Sequence, residues 1–169
     1  YPLPNIMKLQ VLQENLNKAV GVTARFADSR AQLPILGNVL ISAKKSKVFV
    51  SSTNLEISAC VRIGAKVENE GEISVPAKVI SELVLNLPKD TIELESEKEQ
   101  LKVVTQSFSS TILGMNSSDF PPVPNSVNEK NTISLSEKNI AESLSKVIFS
   151  TSSDETRPIL TGVLFILEN

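Results

Sequence analysis

The strings Pro34-Ile35-Leu36 and Pro158-Ile159-Leu160 stand 124 positions apart (34 to 158), and their surroundings repeat at the same offset without a gap. Leu9 and Val11 fall on Ile133 and Leu135, Asn15 and Leu16 on Asn139 and Ile140, and Val20 on Leu144. Ser29 falls on Ser153, and Val39-Leu40 falls on Val163-Leu164. Few folds satisfy that constraint: the chain reads as two copies of one domain type joined in series, with a period close to an ordinary domain length of about 100–150 residues. The second copy carries no counterpart of Lys47 onward. A domain ending there would leave strand edges unpaired and a helix face uncovered, so the chain is expected to be a fragment of a longer protein. The plain alternative is two unrelated strand–helix–strand segments with similar apolar spacing.

Local pattern fills in the first copy. Residues 9–12 read as a strand, and 15–27 as a helix with Leu16, Val20, Thr23 and Ala27 on one face. Strands are expected at 39–43, 47–51, 55–63 and 72–75, mostly by alternation of apolar and polar residues. Pro76 suits the first position of a helix. That helix would bury Val79, Ile80, Leu83, Val84 and Leu87 and end at Pro88-Lys89-Asp90. Strands at 91–95, 101–106 and 109–113 complete the copy. Asp119-Phe120-Pro121-Pro122-Val123-Pro124-Asn125 opens a Pro- and Asn-rich stretch that resists regular structure. The expected organisation is residues 1–6 as an extension or expression scar before Met7-Lys8, 7–124 as the first domain, 125–131 as linker, and 132–169 as the start of a second domain. There, 132–135 reads as a strand, Ser136 as the N-cap of a helix over 137–149, and 159–167 as an apolar strand. The fold class is α+β with antiparallel sheets.

Several function classes lose ground on composition. There is no His, which removes the commonest general base and metal ligand. Carboxylates occur singly or in solvated runs such as Glu93-Leu94-Glu95-Ser96-Glu97, and no Gly-rich phosphate loop joins them. No catalytic residue, metal or cofactor is expected. Cys60 is the lone cysteine, in the run Ile57-Ser58-Ala59-Cys60-Val61, and reads as a buried structural thiol. One cysteine forms no internal disulfide, which fits a reducing cytoplasm. No apolar run approaches the ~18 residues of a membrane helix. With 17 Lys+Arg against 19 Asp+Glu the net charge is −2, so any nucleic-acid contact must come from local placement of charge. Lys18 and Arg25, seven apart on the first helix, share a face away from much of the apolar stripe. They could contact DNA, or simply solvate an outer helix face.

Five motifs in order resemble a known family. Leu33-Pro34-Ile35-Leu36-Gly37-Asn38-Val39-Leu40, Thr53-Asn54-Leu55-Glu56-Ile57, Val75-Pro76-Ala77-Lys78, Asp119-Phe120-Pro121, and Arg157-Pro158-Ile159-Leu160-Thr161-Gly162-Val163-Leu164-Phe165 are similar to signatures of the bacterial DNA polymerase III beta subunit, the beta sliding clamp. Asn54 departs from that family's usual Asp. The resemblance runs from Met7 to the C-terminus. It implies a DNA clamp fold of three repeated α+β domains, each with two helices and two antiparallel sheets, in a subunit that pairs head to tail into a ring around duplex DNA. It implies no bond chemistry, since the ring is a processivity factor that tethers the replicative polymerase.

The resemblance also assigns residues. Arg30, three positions before the Leu-Pro-Ile-Leu segment, matches a DNA-facing arginine. Arg157 and Leu160 match two positions lining a pocket for short peptides of polymerases and the clamp loader; Pro158 and Ile159 stand where some members carry aromatic residues. Ring closure would use the helix bearing Lys78, Val79 and Leu83 together with an edge strand over 107–113 that includes Ser110 and Ile112. A different class stays open: an interaction module of repeated α+β domains with no DNA role, which salt-dependent affinity for duplex DNA would separate from a clamp.

Overall fold

The computed structural model describes residues 6–28, 33–124, 134–154 and 156–166. Arg30, residues 1–5 of the expected extension, the linker 125–131, residues 132–133 and Leu167 lie outside the described residues. The chain divides into two compact units, Tyr1–Asn125 and Ser126–Asn169.

In the first unit β1 (Lys8–Leu12) runs into α1 (Gln13–Thr23), which continues as a 3₁₀ turn over Ala24–Phe26. A 3₁₀ turn at Pro34–Gly37 then leads to β2 (Asn38–Lys44), β3 (Lys47–Thr53), β4 (Ser58–Gly64), β5 (Lys66–Asn69) and β6 (Gly71–Pro76). The unit closes with α2 (Ala77–Asn86), β7 (Thr91–Glu97), β8 (Gln100–Val104) and β9 (Ser109–Leu113). These strands form a five-stranded sheet, β5-β1-β7-β8-β9, and a four-stranded sheet, β4-β3-β2-β6. Every described pairing is antiparallel.

Alternation places the core. Leu9 and Val11, Val48 and Val50, Ile92 and Leu94, and Leu101 and Val103 point inward from their strands. They form one cluster with Leu16, Ala19 and Val20 of α1 and Ile80 and Val84 of α2. Burying one such side chain contributes on the order of 1.5–3 kcal/mol. Among the described residues Thr105 Oγ1 is the one buried side-chain polar atom without a hydrogen-bond partner; the others inside are paired. Gln13 donates to the Val84 carbonyl at 2.7 Å and joins the two helices, while Thr23 Oγ1 donates back to the Ala19 carbonyl. Ser52 of β3 donates to the Thr23 carbonyl at the end of α1.

Four expectations are corrected here. Cys60 is exposed, not buried, because β4 is an edge strand whose Val61 and Ile63 face the core, which turns Cys60 outward with Arg62. Residues 55–57 are not strand. Asn54 Oδ1 accepts the N–H groups of Glu56 and Ile57 at 3.1 and 2.8 Å, and this side-chain turn outcompetes strand pairing and holds Leu55 at φ 76°. Val79 is 47% exposed, since the buried stripe of α2 runs through Ala77, Ile80 and Val84. Pro76 ends β6 and serves as the N-cap, one position before the helix proper. One strand escaped the pattern reading: β5 is Lys66-Val67-Glu68-Asn69, too polar to signal itself, and it pairs along β1.

After β9 the chain crosses between sheets. Gly114 donates to the Glu99 carbonyl at 2.7 Å, and Met115 pairs with Ser74 of β6 in both directions. A Cβ on Gly114 would lie 2.2 Å from the Ser74 carbonyl oxygen, so only glycine permits the crossing. Phe120 then packs with Ile35 and Leu36 in a second small apolar cluster.

The second unit holds α3 (Glu137–Val147), a 3₁₀ turn at Ile148–Ser150 and another at Pro158–Leu160. Shifted back by 124 positions, α3 coincides with α1 at both ends, and the first 3₁₀ turn coincides with Ala24–Phe26. The hydrogen bonds repeat as well. Asp28 N–H to Leu36 O (2.8 Å) recurs as Ser152 N–H to Leu160 O (2.9 Å), and Leu36 N–H to Leu33 O recurs as Leu160 N–H to Arg157 O, both 3.0 Å. Ser136 occupies the N-cap, but its hydroxyl makes no capping bond. The expected strand over 159–167 is absent: 158–160 are 3₁₀, and 161–166 are irregular. Its counterpart β2 is held between β3 and β6. Among the described residues the second unit holds no strand to flank this segment, and a strand's main-chain groups need partners. Residues 134–135, the described end of the other expected strand, are also irregular.

Candidate nucleic-acid interface

α1 and α2 pack side by side, and their outer faces enclose a groove of about 390 Å³. Lys18, Gly21 and Arg25 line one wall; Ser81, Glu82 and Leu85 line the other. The sequence positions follow from burial. Leu16, Ala19, Val20 and Thr23 take the core face of α1, which leaves 18, 21 and 25 outside. On α2 the core stripe leaves 81, 82 and 85 on the groove side. Lys18 and Arg25 are both exposed, and neither makes an ion pair among the described residues. The structure thus brings these two predicted cations together in one groove. Solvent-facing cations suit phosphate contact and offer no base readout, and Glu82 on the facing wall is the carboxylate they share the groove with. The α2 wall was missed by sequence reasoning; the signal was there in the helical positions that the Ala77, Ile80 and Val84 stripe leaves outside.

The residues expected at a subunit interface separate into two sets. Lys78 and Val79 are exposed on α2 and Leu83 is half-buried. Among the described residues β9 pairs with β8 alone, which leaves its other edge free there. Within it Ser110 is half-buried, but Ile112 is only 5% exposed and belongs to the core. Its side chain is thus committed inward, and any contact there would run through the strand's free main-chain edge. Leu113 and Phe108, which sequence reasoning passed over, are the exposed apolar groups at this edge, at 71% and 38%. α2 packs on α1, β2 and β6, whereas β9 packs on β8 and β6.

In the second unit Leu160 lines an open apolar cavity of about 590 Å³ with Ile140, Leu144, Val147, Leu164 and Phe165. Arg157 is exposed beside it and contributes its carbonyl to the Leu160 turn, but does not line the cavity. Two ionisable groups are displaced from their ordinary behaviour. Hydrogen bonding to Glu68, then the attraction of Glu68 and Glu93, raises Lys8 above the usual lysine range. Hydrogen bonds from the Thr156 hydroxyl and N–H lower Asp154 below the usual carboxylate range. Among the described residues no three His, Cys, Asp or Glu side chains gather as metal ligands. Among them too, no helix is long and apolar enough to cross a membrane.

Solved structures share this arrangement. A DNA polymerase sliding clamp from Bacillus subtilis superposes with a TM-score of 0.85 at 25% identity over 92% of this chain and 43% of that one. The pol III beta of Caulobacter crescentus gives 0.83 at 26% identity, over 92% and 42%. The fold is therefore the α+β DNA clamp fold. The sequence model of the DNA polymerase III beta subunit, N-terminal domain, matches residues 7–124. The beta sliding clamp of Synechococcus elongatus is 33% identical over 160 residues, covering 93% of this chain and 42% of its own length. That of Streptomyces coelicolor is 27% identical over 96% of this chain and 43% of its own length. The chain belongs to the DNA polymerase III beta subunit family, and it spans less than half the length of these relatives.

Proposed function

We propose that this chain is the N-terminal part of a DNA sliding clamp subunit, a processivity factor that tethers the replicative DNA polymerase to duplex DNA in the cytoplasm. The family match across residues 7–124 carries this reading. The subunit performs no catalysis and takes no cofactor. It holds DNA by encirclement, in a head-to-tail dimeric ring, with Lys18, Arg25 and Arg30 touching phosphates as the duplex slides through. Residues 7–124 form its first domain, 125–131 a linker and 132–169 the opening of its second. Ring closure uses the exposed Lys78 and Val79, the half-buried Leu83 and the free edge of β9 that carries Ser110 and Ile112. Arg157 and Leu160 contribute to a pocket for short peptides of polymerase and clamp-loader subunits. Loading the longer protein onto a closed circular duplex, then cutting the circle, tests the proposal. A topologically linked ring is retained on the circle and lost from the linear form; equal retention on both would mark an ordinary DNA binder.

A further inference from the structure

Gly21 stands inside the helical run of 13–26, at a position where neither packing nor backbone geometry asks for glycine. A Cβ built there meets nothing within 4 Å. No glycine among the described residues has a positive φ. Glycine is among the poorest helix formers, so an alanine here would hold the helix better without touching any neighbour. Its place explains the exception. Gly21 is three residues from Lys18 and four from Arg25, on the same wall of the α1–α2 groove. At ~1.5 Å per residue the two cations stand about 10 Å apart along the axis, with Gly21 between them. Both are long enough to reach a group resting on the bare backbone at that point.

We propose that Gly21 is a clearance residue for the DNA backbone: its missing side chain lets a phosphate settle on α1 between Lys18 and Arg25. The inference rests on the reading that this groove faces DNA, and it adds a steric element to a contact otherwise defined by charge. A glycine kept for packing loses stability when a side chain is added. A glycine kept for clearance gains stability and loses ligand, and the opposite signs make the two separable.

The experiment uses the 169-residue chain, a short blunt duplex and backbone amide shifts at low salt, beside thermal melting of each variant. In the unsubstituted chain, duplex is expected to shift the amides of Asn17, Lys18, Gly21 and Arg25. Gly21→Ala is expected to raise the melting temperature by about 2–6 °C. Gly21→Leu, a good helix former with a larger side chain, is expected to weaken the duplex contact about two- to tenfold. It should also flatten the slope of log affinity against log salt by about 0.9, the change for one lost phosphate contact. Lys18→Gln should give a similar flattening without the gain in melting temperature. Should Gly21→Leu bind as well as the unsubstituted chain, or Gly21→Ala melt lower, clearance is overturned while the DNA reading stands. Groove amides that do not respond to duplex in the unsubstituted chain would overturn the DNA-facing reading, and the clearance role with it.

Discussion

α1 and α3 begin and end at corresponding residues, run into the same 3₁₀ turn and carry the same carbonyl-to-amide bonds downstream, yet they differ in burial. α1 buries Gln13, Leu16, Ala19, Val20 and Thr23; α3 has no buried residue, and its apolar groups Ile140 and Leu144 reach only half-burial. Their local sequence therefore specifies helix ends and turns in both units, while burial depends on strands that come later in the chain. In the first unit β3 and β4 lie against α1. Helix geometry is a local property here, and stability is not.

The largest effect that should separate the two helices is a matched pair of cavity substitutions. Leu16→Ala is expected to cost about 2–5 kcal/mol in urea unfolding, because Leu16 is fully buried in the core. Ile140→Ala, at the corresponding position, should change stability by no more than about 0.5 kcal/mol. Similar losses at the two positions would break the contrast. An intermediate effect is expected for Ser52→Ala. This serine reaches from β3 to the Thr23 carbonyl at the end of α1, a contact with no counterpart among the described residues of the second unit. Its loss should cost about 1–2 kcal/mol and raise amide exchange at the end of α1 while leaving α3 unchanged. An equal response in α3 would break the contrast between the two helices.

The smallest effects concern pH, and they should fall at opposite ends of the scale. Lys8 is raised by Glu68 and Glu93, so its contribution is complete below the ordinary lysine value of about 10.4 and is lost as pH climbs through the folded value. Asp154 is lowered by Thr156, so its contribution is present above the ordinary carboxylate value of about 3.9 and is lost as pH falls through the folded value. Amide exchange should thus report β1 and β5 loosening first in strong base, and the Thr156 N–H bond to Asp154 opening first in strong acid. Both groups are solvent-facing, and raised salt should shrink the Lys8 effect. The reverse assignment of windows would contradict the hydrogen bonding at both sites.

What the sequence made legible follows the same division. Strand alternation located Leu9, Val11, Val48, Val50, Ile92 and Leu94 on the inward side, because side-chain direction has a period of two wherever one face is buried. The offset of 124 carried over to helix ends because those ends are set locally. The errors arose where a longer-range or finer competition decided the outcome. Cys60 depended on which parity of an edge strand faced the helices. Leu55 depended on an Asn54 side chain outbidding a ladder bond. The segment 159–167 has strand composition but no strand beside it. Ile112 was assigned to a surface by resemblance, although its alternation with the exposed Thr111 and Leu113 on β9 sends it into the core. Of the groove, the cations could be picked out from their spacing on α1. Its second wall, Ser81, Glu82 and Leu85, required knowing that α2 lies alongside.

The crossing at Gly114 has a mechanical consequence. Tension arriving at the first unit from residue 124 does not act on β9 directly. It meets the Phe120 cluster first and the two-way Met115–Ser74 pairing next, and only then the sheet edge. A pull on that end is spread over two sheets before it can peel a strand, so the tie at Gly114 works as a strain relief. Any side chain at that position would force the crossing apart and leave β9 to take the load alone.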